Sequence, residues 1–164
     1  MNATIPGGVD MDDHRARRRR AAGGAAVIVM LSIGVAACSD DDPPSVDVTL
    51  GEFVVEPDPT SDESGEIEFV ADNQGAETHE LVLVQAADAA ALPVDADGAV
   101  VEDELPEGAF IGEIEDVESG ASKSATFDLE AGEYVLFCNV TEEEDSGEIE
   151  SHFAEGMHSP FTVE

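Results

Sequence analysis

The chain has 164 residues and a formal net charge of −33, with 39 acidic residues against six lysines and arginines. This length suits one domain with a hydrophobic core better than two. A surface of this sign repels nucleic acid and anionic lipid head groups, which excludes both as partners. The carboxylates are spread along the whole chain, which favours a solubilising surface, as in salt-adapted organisms, over a docking face for a basic partner.

The N-terminal segment has the pattern of an export signal. Five of the six basic residues lie between Arg15 and Arg20, and an apolar stretch follows over residues 21–35. This stretch is shorter than the roughly 20 residues that a stable membrane span prefers. The sequence Val35-Ala-Ala-Cys38 resembles a bacterial lipobox, in which the cysteine is lipidated and becomes the mature N-terminus. We therefore predict a signal peptide with a lipobox over 1–38 and lipidation of Cys38.

A lipid on Cys38 would anchor the exported protein to the outer face of the cell membrane without any basic patch. A signal peptide that is cut elsewhere, giving a periplasmic or secreted protein, and an uncleaved signal anchor are the alternatives. The consecutive arginines leave the Sec and twin-arginine export routes both open. Residues 39–45 are charged and proline-rich, and we interpret them as a flexible tether.

Beyond the tether, short β-branched and aromatic runs alternate with Gly, Pro, Asn and Asp, and helical periodicity is nearly absent. Several runs alternate with period two, which predicts strands that bury one face. The runs are Val46–Leu50, Phe53–Val55, Gly65–Ala71, His79–Val84, Phe110–Ile114, Ser122–Asp128, Gly132–Cys138 and Phe161–Val163. We predict an all-β fold, a Greek-key β-sandwich of about seven or eight strands, in one domain over 46–164. Residues 86–108 are interpreted as a long surface connection, with a short helical turn over 86–92.

Four side chains carry the chemistry of the domain. The chain has only two cysteines, so lipidation of Cys38 leaves Cys138 without a disulfide partner in an oxidising compartment, and metal ligation would explain a retained thiol. His79 begins a strand upstream, and His152 and Met157 follow Cys138 near the C-terminus. One thiol, two imidazoles and one thioether are the ligand set of a trigonal His₂Cys copper site with a weak axial Met.

The spacing of these residues carries a family resemblance. The motifs are Asn73-x-Gly75-x-x-x-His79-Glu80-Leu81, Gly132-x-Tyr134-x-x-x-Cys138 and His152-x-x-x-Gly156-Met157. In this order they resemble the cupredoxins, or blue (type 1) copper proteins, over most of the chain from Val46 to Val163. The resemblance implies a cupredoxin-like sandwich with one type 1 copper ion held by His79, Cys138, His152 and Met157. It also implies that backbone N–H groups after His79 hydrogen-bond the thiolate.

The sequence departs from the family pattern in two places. Thirteen residues with six carboxylates separate Cys138 from His152, where the family has a short loop. Closing a longer loop adds only on the order of 1 kcal/mol, so the ends of this insert can stay close. Glu80 stands where the family often has Asn, so we expect the hydrogen bonding around the site to differ from the family pattern. His158 is an alternative second imidazole, whereas His14 lies in the predicted signal and is excluded.

The resemblance implies a type 1 copper protein that carries single electrons between larger redox proteins and is not an enzyme. Together with the export signal, it leads us to expect an exported monomer. Two alternatives stay open. One is a copper-handling protein that captures or delivers the ion at an exchangeable site, with the acidic insert attracting cations. The other is a metal-free cupredoxin-fold module that serves in structure or interaction.

Overall fold

The computed structural model describes residues 42–164, which form strands and two short 3₁₀ turns. The predicted signal peptide, the lipidation of Cys38 and residues 39–41 of the tether lie outside the described residues. The strands are β1 Ser45–Gly51, β2 Val54–Asp58, β3 Ser61–Asp62, β4 Gly65–Asn73, β5 His79–Gln85, β6 Phe110–Val117, β7 Ser122–Leu129, β8 Gly132–Phe137, β9 Thr141–Glu143, β10 Ile149–Ser151 and β11 His158–Val163. The 3₁₀ turns are Ala89–Ala91 and Glu102–Glu104. Within 42–164, no helix is long and apolar enough to cross a membrane.

Two main sheets form the layers of a β-sandwich. One has the order β2-β1-β4-β7 and the other β3-β11-β8-β5-β6, while β9 and β10 pair only with each other. The pairs β1–β4 and β3–β11 are parallel, and the other strand pairs are antiparallel. The predicted all-β sandwich is therefore confirmed.

The alternating pattern of β4 shows how the sequence builds the space between the sheets. Ile67, Phe69 and Ala71 on this strand are fully buried, while Glu66 is exposed. The Phe69 ring meets Phe161 of β11 in the opposite sheet at a centroid distance of 5.3 Å, edge to face. Such aromatic pairs add specific geometry to the burial of apolar area. The core thus joins the two sheets through side chains that the period-two pattern predicts.

The two central strands β5 and β8 are buried on both faces. Leu83 and Leu136 face the main core, whereas Val82 and Val135 face a second apolar cluster on the outside of their sheet. That second cluster is completed by Leu92, Val100, Ala109 and Phe153. This burial explains the unbroken apolar runs of both strands, since a strand with one wet face would alternate. The connection over 86–108 is therefore a cover for the sheet as well as a surface segment.

Each of the eight predicted runs overlaps a strand, although Phe53 lies just before β2 and Cys138 just after β8, and the predicted helical turn is found at Ala89–Ala91. Three short strands were not predicted, namely β3, β9 and β10. Each has two or three residues and is mostly polar, so it carries no hydrophobic periodicity. The hydrogen bonds of the neighbouring backbone are what define these strands.

Candidate metal centre

The sheet brings the four predicted ligands to one end of the sandwich. His79 is the first residue of β5, and Cys138 directly follows β8, its antiparallel neighbour. Met157 directly precedes β11, which pairs with the other side of β8. The Cys138 N–H donates to the Met157 carbonyl at 3.0 Å, and the Met157 N–H donates to the His152 carbonyl at 3.0 Å.

Three donor atoms converge in the interior. The Cys138 Sγ lies 3.4 Å from His152 Nδ1 and 3.8 Å from His79 Nδ1, and the two Nδ1 atoms are 3.2 Å apart. All three side chains are fully buried, as is Met157. Sequence reasoning therefore selected residues that the fold gathers. Their role as metal ligands, and that of Met157 as the axial one, stays a prediction at this point.

The chemistry of this donor set fits a metal ion. The outer Nε2 atoms of His79 and His152 face the carboxylates of Glu52 and Glu77, at 3.3 and 3.4 Å respectively. A carboxylate accepts hydrogen bonds, so each ring is best satisfied with its proton on Nε2. Both Nδ1 lone pairs then point at each other and at the sulfur. A cation between the three atoms satisfies all of them at once, and thiolate with imidazole is a donor set that suits copper and zinc.

The protonation states at the site also suit metal binding. Burial raises the pKa of the Cys138 thiol to about 11, although hydrogen bonds from the N–H groups of Glu80 and Val140 act to lower this pKa. The thiol is therefore protonated at neutral pH, and a bound metal ion would displace its proton. Burial also lowers the pKa of His79, which keeps this imidazole neutral and able to ligate.

Glu80 joins the two strands that carry ligands. Its Oε1 accepts the Asn139 N–H at 3.1 Å, which ties the residue after His79 to the residue after Cys138. Burial raises the pKa of Glu80 to about 7. The backbone N–H of Glu80 also acts to lower the pKa of Cys138, as expected of a donor close to the sulfur. Glu80 therefore ties together the two segments that carry His79 and Cys138.

Asn139 fastens the segment after Cys138 to the covering connection. Its Oδ1 accepts the Val100 N–H at 2.7 Å, and its Nδ2 donates to the Val100 carbonyl at 3.0 Å. Nδ2 also reaches Glu102 Oε1 at 3.2 Å. These contacts are part buried, so they are shielded from competition by water. The connection that covers the sheet thus also holds the cysteine end of the site.

Asn73 organises the turn that precedes His79. Its Nδ2 donates to the carbonyls of Val117 at 2.8 Å and Glu77 at 2.7 Å, and its Oδ1 accepts the Gly75 N–H at 2.9 Å. Because this side-chain amide both donates and accepts hydrogen bonds with the backbone, it stabilises the turn much as backbone hydrogen bonds stabilise a sheet. The side chain of Asn73 therefore sets the course of the chain that presents Glu77 and His79.

The long insert is a closed hairpin. Strands β9 and β10 pair from Thr141 with Ser151 to Glu143 with Ile149, and Gly147 takes a positive φ of 82° at the tip. At the base, the His152 N–H donates to the Val140 carbonyl at 3.0 Å. The expectation that the ends of the insert stay close is therefore confirmed. The hairpin therefore places His152 beside the thiol of Cys138.

Sequence reasoning missed Glu52, Phe53 and Glu77. Phe53 lies edge to face with His152 at a centroid distance of 5.2 Å. The two carboxylates belong to a set of 39 acidic residues, and no local pattern distinguishes them from the rest. They are identified only by the folded structure, in which the loops bring them against His79 and His152.

The alternative imidazole does not join the cluster. His158 is exposed and tilts against Phe153 at a centroid distance of 5.1 Å, outside the group of converging donors. His14 lies outside the described residues. His152 is therefore the second imidazole of the site.

Comparison with known proteins identifies the fold. No protein-family model and no curated protein matches the sequence. Among solved structures, an auracyanin from Roseiflexus castenholzii is 22% identical, with a TM-score of 0.50 and coverage of 73% of this chain and 96% of that one. Auracyanin B is 21% identical, covering 74% of this chain and 88% of its own, also with a TM-score of 0.50. The azurin Az-iso2 from Methylomonas sp. strain J is 18% identical, covering 74% and 98%, again at 0.50. The chain therefore has the cupredoxin fold.

Proposed function

We propose that this cupredoxin-fold chain binds one type 1 copper ion and carries single electrons between larger redox proteins. His79, Cys138 and His152 would be the equatorial ligands and Met157 the weak axial one. The observation that carries the proposal is the convergence of Cys138 Sγ and two imidazole Nδ1 atoms within a buried cluster. The role is transport of electrons and not catalysis.

The donor types explain the choice of copper and of electron transfer. A thiolate is a soft donor, imidazoles suit both Cu(I) and Cu(II), and a weak thioether favours the reduced ion. When bound, the copper supplies the one-electron redox couple. The chain supplies a donor arrangement that is already assembled and fastened by hydrogen bonds to the Glu80 carboxylate, the Asn139 Oδ1 and the Met157 carbonyl. A held geometry of this kind limits the rearrangement that accompanies each change of oxidation state.

A copper-handling role is the second candidate, and the acidic hairpin favours it. Carboxylates of the hairpin come close enough to the site that Glu142 and Glu150 raise the pKa of Glu77, after the larger effect of burial. Such a field attracts cations. Against an exchangeable site, both imidazoles are fully buried. A metal-free module would leave the two facing Nδ1 lone pairs with only the single thiol proton of Cys138 to share, which makes it the weakest of the three.

The cellular setting is part of the proposal. Export and attachment to the outer face of the cell membrane would follow from lipidation of Cys38, with residues 39–45 as the tether and 46–164 as the functional domain. A secreted or periplasmic form is the alternative. Larger redox proteins would be the partners of a monomer. Mass analysis of the mature N-terminus tests the anchor, since a lipid on Cys38 adds its acyl mass to the first residue.

Visible spectroscopy tests the copper proposal. One equivalent of Cu(II) is added to the purified full chain in detergent. We expect an intense blue thiolate-to-copper band that bleaches reversibly with a reductant and is lost in Cys138→Ser. The surface variant Ser64→Ala is a control that leaves the band unchanged. Copper uptake without the band, or rapid loss to a chelator, would favour the handling role, and no uptake would contradict both metal hypotheses.

A further inference from the structure

Both candidate imidazole ligands have a carboxylate against their outer nitrogen. His79 Nε2 lies 3.3 Å from Glu52 Oε1, and His152 Nε2 lies 3.4 Å from Glu77 Oε2. Within residues 42–164, neither Nε2 has a formed hydrogen bond, and Glu77 Oε2 has none either, so these carboxylates are close neighbours whose hydrogen bonds are not yet made. Two buried rings that each meet one carboxylate in the same way indicate a paired arrangement.

We propose that Glu52 and Glu77 are positioning residues of the copper site, a role that rests on the proposed function. Each accepts the Nε2–H of one imidazole and so keeps the Nδ1 lone pair of that ring directed at the metal. A ligating imidazole commonly donates its second N–H to a partner that fixes its tautomer and raises its basicity. The carboxylates of Glu52 and Glu77 are the groups that this chain provides for that purpose.

Glu52 is held in place by the turn before β5. Its Oε1 accepts the N–H groups of Ala76 at 2.7 Å and Glu77 at 2.9 Å. These two backbone donors hold the carboxylate that faces His79. An oxygen that already accepts two backbone hydrogen bonds has a fixed position. It can therefore orient the ring of His79.

Glu77 is placed by a different set of contacts. The Asn73 side chain donates to the Glu77 carbonyl at 2.7 Å, while the Glu77 N–H is bound to Glu52. The backbone of Glu77 is thus fastened at both ends of the residue, and its side chain is directed at His152. The two carboxylates belong to one connected network, in which each depends on the other's loop.

The separations of 3.3 and 3.4 Å are longer than the 2.7–2.9 Å of a charge-assisted hydrogen bond. Each imidazole Nε2 therefore lies near its carboxylate oxygen, but the hydrogen bond between them is not fully formed. Metal ligation makes an Nε2–H more acidic, which strengthens its hydrogen bond to a carboxylate. The negative charges also stabilise Cu(II) more than Cu(I), so their loss should raise the reduction potential.

The tautomer of each ring provides a test that needs no copper. Two-bond ¹H–¹⁵N correlation spectra of the full chain at neutral pH distinguish Nε2–H from Nδ1–H imidazoles. We expect both rings of the wild type as Nε2–H. Glu77→Ala should release only His152, and Glu52→Ala should release His79 and, because it frees the Glu77 backbone, loosen His152 to a smaller extent. Glu52→Gln and Glu77→Gln retain an acceptor and the tautomer. If an Ala variant fails to fold, the tautomers of the wild type decide, since the inference requires Nε2–H in both rings.

The variant Glu142→Gln is a control that distinguishes a general loss of negative charge from the loss of a contact with an imidazole. Glu142 acts through space on both Glu77 and His79 but contacts neither imidazole. The change removes the same unit of charge, and it should leave both tautomers and the copper affinity unchanged. We expect Glu52→Ala and Glu77→Ala to weaken Cu(II) binding by about tenfold or more, the usual effect of losing such a partner, and to raise the reduction potential.

An Nδ1–H tautomer in the wild type would overturn the inference. So would Ala variants that keep the wild-type tautomer and bind Cu(II) within about twofold of the wild type. A wild type that binds no copper would instead refute the proposed function, and the spectra of the metal-free protein would still decide whether the carboxylates orient the rings.

Discussion

The two imidazoles of the site are delivered by very different parts of the molecule. His79 begins β5, a central strand that is buried on both faces. His152 follows the β9–β10 hairpin, whose residues are mostly exposed and which pairs with neither main sheet. The strand side of the site therefore shares its stability with the whole sandwich, whereas the hairpin side depends on a few backbone hydrogen bonds at its base. Changes on the two sides should affect stability and copper binding in different proportions.

The largest expected effect is on the strand side, in Leu83→Ala. Leu83 is fully buried in the main core, so the change should lower the free energy of unfolding by about 2–5 kcal/mol through lost burial and a cavity. Chemical denaturation of the metal-free chain measures it. Val54, which is 42% exposed, is the control: Val54→Ala should change stability by less than about 0.5 kcal/mol. Equal effects of both changes would refute the assigned core.

An intermediate effect is expected where the two sides join, in Glu80→Ala. This change leaves the part-buried Asn139 N–H without its acceptor, which should cost about 1–2 kcal/mol of stability. Glu80→Gln keeps an acceptor oxygen and should recover most of the loss. The blue band should shift in Glu80→Ala because Asn139 directly follows Cys138. An unchanged spectrum and stability in Glu80→Ala would show that this contact does not hold the site.

The smallest effect is expected at the hairpin tip. Glu143, Glu144 and Asp145 are exposed, so the combined change Glu143→Gln, Glu144→Gln and Asp145→Asn should alter stability by less than about 0.5 kcal/mol. Copper stoichiometry and the blue band should also be unchanged, because no ligand comes from the tip. A loss of copper affinity of more than about tenfold would contradict this expectation and favour the copper-handling role.

The β-sandwich and the cluster of His79, Cys138 and His152 could both be predicted from the sequence. Period-two runs such as Gly65–Ala71 predict strands because the burial of one face determines the alternation. The order of His79, Cys138 and His152 could be used because soft thiolate and imidazole seldom occur together in this pattern without a metal. The two-sided burial of β5 and β8 was not predicted, because the segment over 86–108 that covers them is interpreted from the sequence only as a surface connection.

The partners of the imidazoles could not be predicted. Glu52 and Glu77 reach the rings through loop conformations that the Asn73 side chain and the backbone of residues 75–77 determine. These are contacts between segments distant in the chain, and in so acidic a sequence no composition signal distinguishes two carboxylates. The β9–β10 hairpin escaped prediction for a related reason, since its polar strands are stabilised by backbone pairing and a turn glycine.

X-ray absorption at the copper edge of the loaded full chain tests the central claim most directly. A single copper held by His79, Cys138 and His152 predicts a first shell of two imidazole nitrogens and one short sulfur contact. The sulfur contribution should vanish in Cys138→Ser. A shell of oxygen donors without sulfur would place the copper among the carboxylates of the surface and contradict the account.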